Sequence, residues 1–413
     1  MSDSQLRKVA IIGAGPAGAS CAAYLAREGV EVTLFSRPAR PAVLVGESLV
    51  PAVIPFLREL GIEEEVASYS VYKPGATFVL DPEALIRFTF SEVRGGKLDY
   101  AYNTPRDLFD RSILDAALKS GVRLVEEAAR VERVGDTDRV RLTAETQAIF
   151  GADEPDFIID ASGRNRLLSR VLDIPSTEGA RRDTALHAHM EGTTLIEPSD
   201  VHTDRLGHGW SWRIPLPGRV SVGIVVDGAT LRKFGDSPEE QFDNFLAKDP
   251  MIQTWGEVGK RITPVVKYNN YQLCTDRGHG DGWALLGDSF GFVDPVFSSG
   301  LLIGMDGARE LARALMDGSP DSMKRWDAHV QRQLRAWHKI VGWYYDGRLL
   351  TLFRVGGYVR NTWLGWLVDF HLRKHMPRIF TGEGTTRPYS LGLLEFMIEH
   401  GLAGNDPKIL EVR

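Results

Sequence analysis

The sequence predicts an α/β chain, α+β overall: a parallel sheet flanked by helices, an inserted antiparallel sheet, and a helical C-terminal region. Three observations carry that prediction. Lys8–Ile12 (KVAII), a β-branched apolar run, passes through the glycine-rich turn Gly13–Gly18 (GAGPAG) into the alanine-rich stretch Ala17–Glu28, with no helix breaker before Gly29. From about residue 181 to 275 the texture changes to alternating runs such as Val220–Val226 (VSVGIVV), separated by Pro and Gly turns. The first texture then returns: the apolar Trp283–Leu286, a glycine-containing loop Ser289–Gly300, and a helix from about Leu301 to Met316.

Strand, glycine-rich turn and helix together form the context in which GxGxxG binds a dinucleotide. Gly13 allows the tight turn, Gly15 lets a pyrophosphate approach the backbone, and Gly18 lets the helix pack on the strand. The helix N-terminal amides then face the anion. Val30–Phe35 (VEVTLF) completes a Rossmann-like βαβ unit. The next residue, where an acidic side chain commonly holds the adenosine ribose, is Ser36, followed by Arg37, so the ribose lacks its usual partner.

Further along, VGESLVP (Val45–Pro51) precedes a helix from about Val53 to Leu60, for which Ser48 is a candidate cap. Val71–Leu80 alternates like a single strand, and by position alone its Lys73 reads as a solvated edge residue. Leu85–Phe90 and Asp99–Asn103 suggest antiparallel hairpins inserted into the parallel sheet. Thr104–Leu118 starts a helix with Thr104 as N-cap and Pro105 in its first turn. Arg106 at that N-terminus is unfavourable for the helix dipole, and points to an anion or polar ligand there. Val122–Val125 and Phe157–Asp160 are further parallel-strand candidates, the latter ending in the small residues of DASG (Asp160–Gly163). Trp210 and Trp212 alternate on one strand and share a face, as a core pair or a site wall. The late aromatics Trp343, Tyr344, Tyr345, Trp363 and Trp366 read mostly as packing, with one or two closing a substrate pocket.

At 413 residues the chain exceeds one core. The expected division is a discontinuous cofactor domain (1–72, 100–180 and 276–340), a substrate domain (73–99 and 181–275) and the helical region 341–413. A net charge of −6 without blocks gives no reason to expect nucleic acid. Two cysteines, Cys21 and Cys274, exclude a disulfide framework and a CxxC metal pair, and Cys21 reads as a small core residue. Leu349–Phe370 is apolar but interrupted by Arg354, Arg360, Asn361 and Asp369, which makes a poor membrane span. With the first strand so near Met1, no signal peptide is expected, and a cytoplasmic protein is.

GAGPAG, Arg106, DASG and Gly287–Asp288 (GD), in this order and spacing, resemble the class A flavoprotein monooxygenase fold, that of p-hydroxybenzoate hydroxylase, over about residues 5–345. The resemblance implies non-covalent FAD. Gly13, Gly15, Ala17 and Gly18 would hold the pyrophosphate, Asp288 the ribityl or pyrophosphate region, and Glu47, Ser48, Arg106 and Pro295 the flavin end. No second GxGxxG βαβ unit provides a nicotinamide domain, so reduced flavin is expected from a separate flavin reductase.

Within that fold VGES (Val45–Ser48), Lys73, WSWRIP (Trp210–Pro215) and the loop DPVFSSGL (Asp294–Leu301) resemble the flavin-dependent halogenases, the third matching their WxWxIP pattern. The resemblance implies that FADH2, dioxygen and chloride or bromide give hypohalous acid by way of a flavin 4a-hydroperoxide. Lys73 would receive that acid, as a chloramine or by hydrogen bonding, and amides near Ser299 and Gly300 would bind the halide. Trp210, Trp212 and Phe297 would line the tunnel and substrate pocket. Tryptophan halogenases carry a glutamate two residues after the loop proline; here Phe297 stands there, a form similar to halogenases of phenols and pyrroles. The expected substrate is an electron-rich phenol, pyrrole or indole-like ring, free or tethered to a carrier protein. The alternatives are a hydroxylase or dehydrogenase/reductase of the same fold, and a non-catalytic electron-transfer flavoprotein.

Overall fold

The computed structural model describes residues 6–38, 44–93, 98–359, 378–383, 388–402 and 405–412. Its first layer is a six-stranded sheet in the spatial order His279–Gly280, Trp283–Leu285, Phe157–Asp160, Lys8–Ile12, Glu31–Phe35, Arg123–Val125. All neighbours are parallel except the first pair. Continuous apolar runs suit strands covered on both faces. Ile12 lies in register with Phe35 on one side and Asp160 on the other, so three strand ends open at one crevice. Ligands bind at such a crevice in open α/β sheets. Helix Pro16–Arg27 leaves it and packs against helices Arg106–Lys119 and Gly300–Asp317. Cys21 is fully buried in that packing.

The second layer is a nine-stranded sheet, antiparallel except where Val201–Leu206 runs parallel to Gly75–Asp81. Its alternation separates two cores. Leu186, Ala188 and Met190 face a small cluster with Phe242 and Phe245 of helix Pro238–Lys248, a helix started by a Ser237–Glu240 capping box. Trp210, Trp212 and Ile214, two strands away across Arg219–Asp227, face the opposite way, into the main core shared with the first layer. The strand Ser176–Glu191 begins before residue 181, and Gly291–Phe292 returns to this sheet from beyond 275.

Two expectations are corrected here. The residues read as hairpins within the parallel sheet do not enter it. Pro74 has no N–H, so the single strand expected over Val71–Leu80 divides into Val71–Lys73 and Gly75–Asp81. The first pairs with Ala101–Asn103 as a two-stranded sheet, and the second takes Ala84–Thr89 to the edge of the nine-stranded one. Nor does Thr104 cap the next helix: it spans Arg106–Lys119, Pro105 occupies the cap position, and the buried Thr104 hydroxyl makes no hydrogen bond among the described residues.

Helices Ser322–Tyr345, Arg348–Val359, Arg378–Thr381 and Pro388–His400 cover the end of the molecule. Trp343, Tyr344 and Tyr345 are buried in it, while Trp363 and Trp366 lie outside the described residues. Among the described residues no helix is long and apolar enough to cross a membrane, and no three His, Cys, Asp or Glu side chains gather as a metal site.

Candidate active site

The glycine turn is built by exclusion. A Cβ on Gly13, whose φ is +115°, would lie 2.2 Å from the Ala161 carbonyl oxygen. One on Gly18 would lie 2.0 Å from the Gly13 oxygen. Strand, turn, helix and DASG loop therefore meet backbone to backbone. Gly15 is different: nothing lies within 4 Å of its would-be Cβ, which projects into open space. The Ala17 methyl sits where a Cβ on Gly287 or Gly304 would come within 3.1 or 3.3 Å, joining the GD turn and helix Gly300–Asp317 to the cradle.

Two adjoining cavities run from this turn. One, about 370 Å³, passes Gly13, Phe35, Ser36, Arg37 and Glu127, as an adenosine would. The other, about 200 Å³, passes Ala17, Gly46, Arg106, Asp288, Pro295 and Gly300, and both touch Gly15, Ala161 and Gly163. At the ribose position the Ser36 hydroxyl reaches, among the described residues, only the Arg37 carbonyl, at 3.4 Å. Arg106 is paired with Asp110 at 2.9 Å and bonds the Val45 carbonyl, which fixes the Gly46 turn beside the cavity. Burial pushes the Asp288 carboxyl upward, opposed by Arg164 and Arg106. A trough with an open glycine, helix N-terminal amides and nearby cations fits an extended dinucleotide carrying a flavin.

Beyond the flavin end lies a packed region of buried polar groups, the proposed reaction chamber. Lys73 is only 2% exposed, not the solvated edge residue that position alone suggests. Its Nζ donates to the Ser48 Oγ and the Leu49 carbonyl, each at 2.8 Å, and lies 5.5 Å from the Phe90 ring centroid. Burial pulls its pKa from 10.5 down to about 7, against the opposing charge of Asp200. Ser48 is thus an acceptor for Lys73, and the short 3₁₀ turn and helix that follow begin after Val50 and Val53 with no side-chain cap among the described residues. Glu47 points to the nine-stranded sheet, its Oε1 2.9 Å from His189 Nε2, while its Oε2 has no partner among the described residues.

Trp210 and Trp212 share a face as expected, ring centroids 5.4 Å apart. Trp212 lies over Gly223, where a Cβ would come within 2.1 Å of the indole, and donates to Ser221 Oγ at 3.2 Å. Its edge meets His187, which burial pushes down to about 4, leaving a neutral ring with neither nitrogen bonded among the described residues. His187 and His189 were missed in the sequence. The alternation Leu186–Met190 (LHAHM) puts both on one face, but nothing local says what that face meets.

Asp294 shapes the last loop, accepting from Val296 N at 3.0 Å and the Tyr345 hydroxyl at 2.7 Å. Ser298 follows in the left-handed region (φ 56°). Phe297 is buried in an aromatic cluster with Phe78, Trp337, Tyr344 and Phe380. Ser299 is buried with its hydroxyl unbonded among the described residues, and Gly300 opens the 18-residue helix beside the flavin end of the trough. Ser48, Arg106, Asp288, Pro295, Ser298 and Gly300 line one end of the trough, Lys73 joins it through its bond to Ser48, and Glu47 reaches His189 of the sheet that carries Trp212 against His187.

Fold and cradle together define a flavin-dependent oxidoreductase. The tryptophan halogenase family model matches residues 8–93 and 84–349, and the chain belongs to this family of flavin-dependent halogenases. A chlorinase of 1H-pyrrole-2-carbonyl-[peptidyl-carrier protein] from Pseudomonas fluorescens is 28% identical, over 84% of each chain. A tryptophan 2-halogenase from Chondromyces crocatus is also 28% identical, over 82% of this chain and 68% of that one. A flavin-dependent halogenase from Armillaria mellea is 30% identical, over 80% and 67%. Among solved structures, a flavin-dependent brominase has a TM-score of 0.76 at 21% identity, over 96% of this chain and 99% of the other. A flavoprotein/dehydrogenase from Cytophaga hutchinsonii reaches 0.79 at 22%, over 96% and 100%; both likenesses show the fold. The protein is an enzyme that uses FADH2 and a halide to halogenate an aromatic substrate.

Proposed function

We propose that the substrate is an electron-rich ring, a phenol, pyrrole or indole-like arene, free or tethered to a carrier protein, and that Lys73 delivers the halogen. The observation that carries this reading is the placement of Lys73: a buried amine fixed by Ser48 Oγ and the Leu49 carbonyl, with a pKa lowered to about 7. FADH2 bound in the trough supplies, with dioxygen and halide, the chemistry that makes hypohalous acid.

Held in the trough, the cofactor would lie along Gly13, Gly15, Ala17 and Gly18, with Asp288 at its middle and Glu47, Ser48, Arg106 and Pro295 at its flavin end. Amides at Ser299–Gly300 face the site with the positive end of a helix dipole, suited to a halide. In its ammonium form Lys73 hydrogen-bonds the oxygen of the hypohalous acid. The ring then takes the halogen, and the oxygen departs as hydroxide, which takes up the displaced ring proton as water. In its amine form Lys73 attacks the halogen itself, giving a haloamine and water, and the haloamine passes the halogen on. A pKa of about 7 makes both forms available near neutrality.

The relative from Pseudomonas fluorescens acts on a carrier-bound pyrrole, which supports a tethered ring here. Reduced flavin is proposed to come from a separate reductase. The test combines the protein with FAD, a flavin reductase, NADH, halide and a panel of phenols and pyrroles, read by mass spectrometry. Halogenated product is expected, lost in Lys73→Ala by roughly two to four orders of magnitude, as for removal of a positioned proton donor, while flavin binding persists. Hydroxylated product formed without halide overturns the reading.

A further inference from the structure

Around Phe297 the structure gathers hydrogen-bond donors that bond nothing among the described residues. Tyr344, near the end of helix Ser322–Tyr345, is fully buried, meets the Phe297 ring edge-on at 5.9 Å between centroids, and its hydroxyl has no partner among the described residues. Trp337 lies two turns earlier on the same side of that helix, also fully buried, 6.2 Å from Phe297, with its Nε1–H unbonded. Ser299, close to Phe297 in the loop, adds a third buried donor, a hydroxyl unbonded among the described residues.

Leaving one such group unpaired in the interior costs on the order of 1–3 kcal/mol. Three around one ring mark a site made for a partner. Their chemistry states which kind. An indole N–H only donates, and burial holds the Tyr344 phenol far above its ordinary range, so it too stays protonated and donates. The surfaces between them are aromatic: Phe78 stacks on Phe297 at 5.9 Å, and Phe380 lies 5.0 Å from Phe78. The identity of residue 297 explains why the donors are idle. A carboxylate at that position would accept from its neighbours, whereas a phenyl ring accepts nothing comparable.

We infer that Tyr344, assisted by Trp337, is a specificity-determining residue whose hydroxyl binds an acceptor oxygen of the substrate, phenolic or acyl, while the ring lies against Phe297 and Phe78. The inference rests on the halogenase reading for the claim that the bound arene is the substrate; the binding itself is separable.

The experiment uses the full-length protein loaded with FAD. Dissociation constants for phenol, pyrrole-2-carboxamide and toluene are measured by calorimetry in wild type, Tyr344→Phe and Trp337→Phe. Tyr344→Phe is expected to weaken phenol and pyrrole-2-carboxamide roughly tenfold, as for loss of one buried hydrogen bond, and toluene less than about twofold. Trp337→Phe should act in the same direction and less. Because the lost hydroxyl has no internal partner, Tyr344→Phe should melt no lower than wild type. Equal weakening of all three probes, no weakening, or a lowered melting temperature overturns the inference. Halide-dependent halogenation of the phenol and pyrrole panel, with flavin reductase, NADH and halide present, is followed in parallel by mass spectrometry. Its absence in wild type would count against the halogenase reading and leave the binding comparison to decide Tyr344.

Discussion

The cofactor cradle and the reaction chamber lie side by side and are built on opposite principles. The cradle is made by leaving side chains out: at Gly13 and Gly18 backbone comes so close to backbone that no Cβ fits. The chamber is made by burying polar side chains with few partners: Lys73, Glu47, His187 and Tyr344. Sterics of the first kind answer mutation abruptly and ignore pH. Desolvation of the second kind answers by degrees and depends on protonation.

The sharpest way to break this comparison lies within the cradle. Gly13→Ala forces a Cβ to 2.2 Å from the Ala161 oxygen at a φ of +115°, so the backbone must move. We expect a loss on the order of 3 kcal/mol or more and no measurable flavin binding. Gly15→Ala meets nothing within 4 Å, and its φ of −73° suits alanine. It should melt like wild type yet bind FAD at least about tenfold more weakly, because the methyl occupies the place where backbone meets pyrophosphate. Thermal melts and FAD titrations of both variants separate the two effects. An equal loss of stability in Gly15→Ala contradicts the assignment of that open space to ligand.

The same contrast governs what could be read from the sequence. The cradle is local: Lys8–Ile12, the glycines and the helix that follows lie within about twenty residues, and steric rules name each role. The chamber is assembled from distant segments. Lys73 looked solvated because Val71–Leu80 alternates like one edge strand; only pairing with Ala101–Asn103, after the break at Pro74, turns its side chain inward. Resemblance to a family pointed to Lys73 and the two tryptophans, but no periodicity showed that Ser48 would hold the amine or that Glu47 would meet His189 across the sheet. Thr104 misled for a related reason: its backbone N–H bonds the Glu47 carbonyl at 2.7 Å, so the residue belongs to the chamber wall instead of the helix end. Tyr344 read as packing, and it does pack; that its hydroxyl bonds nothing is visible only in three dimensions.

A prediction of intermediate size tests the chamber through pH. Unfolded, Lys73 keeps its proton up to about 10.5; folded, burial releases it near 7. Between these values the unfolded chain binds more protons, so stability rises with pH there, by at most about 1.4 kcal/mol per unit. Below pH 7 both states are protonated and the full cost of the buried charge is present. Urea unfolding of wild type and Lys73→Met at pH 7 and pH 9.5 isolates this contribution: wild type should gain relative to the variant at the higher pH, and a relative loss contradicts the lowered pKa. In the same window the rate identifies the reactive form. Halogenation that falls above pH 7 requires the ammonium, and halogenation that rises there requires the amine.

The smallest predicted effect returns to the cradle, at the one place where its recognition is incomplete. Ser36 follows the strand Glu31–Phe35, its backbone N–H fixed to Val125 O at 2.8 Å, and its side chain borders the adenosine cavity. Among the described residues its hydroxyl makes only a long bond to the neighbouring Arg37 carbonyl, so replacing it breaks little. Ser36→Asp places a carboxylate where the ribose hydroxyls would donate. Arg37 adjoins it to balance the charge, and Asp110, which lines the same cavity, is already committed to Arg106. A hydrogen bond to a charged acceptor at a solvent-facing cleft is worth about 1 kcal/mol net, so FAD should bind roughly three- to tenfold more tightly. The melting temperature without flavin should stay unchanged. If affinity does not rise, the ribose is held from the opposite wall, where Glu127 borders the same cavity, and Glu127→Gln should then weaken FAD by a similar factor. Either result concerns affinity alone: the chamber's product, and its dependence on Lys73, should be the same in both variants once flavin is saturating.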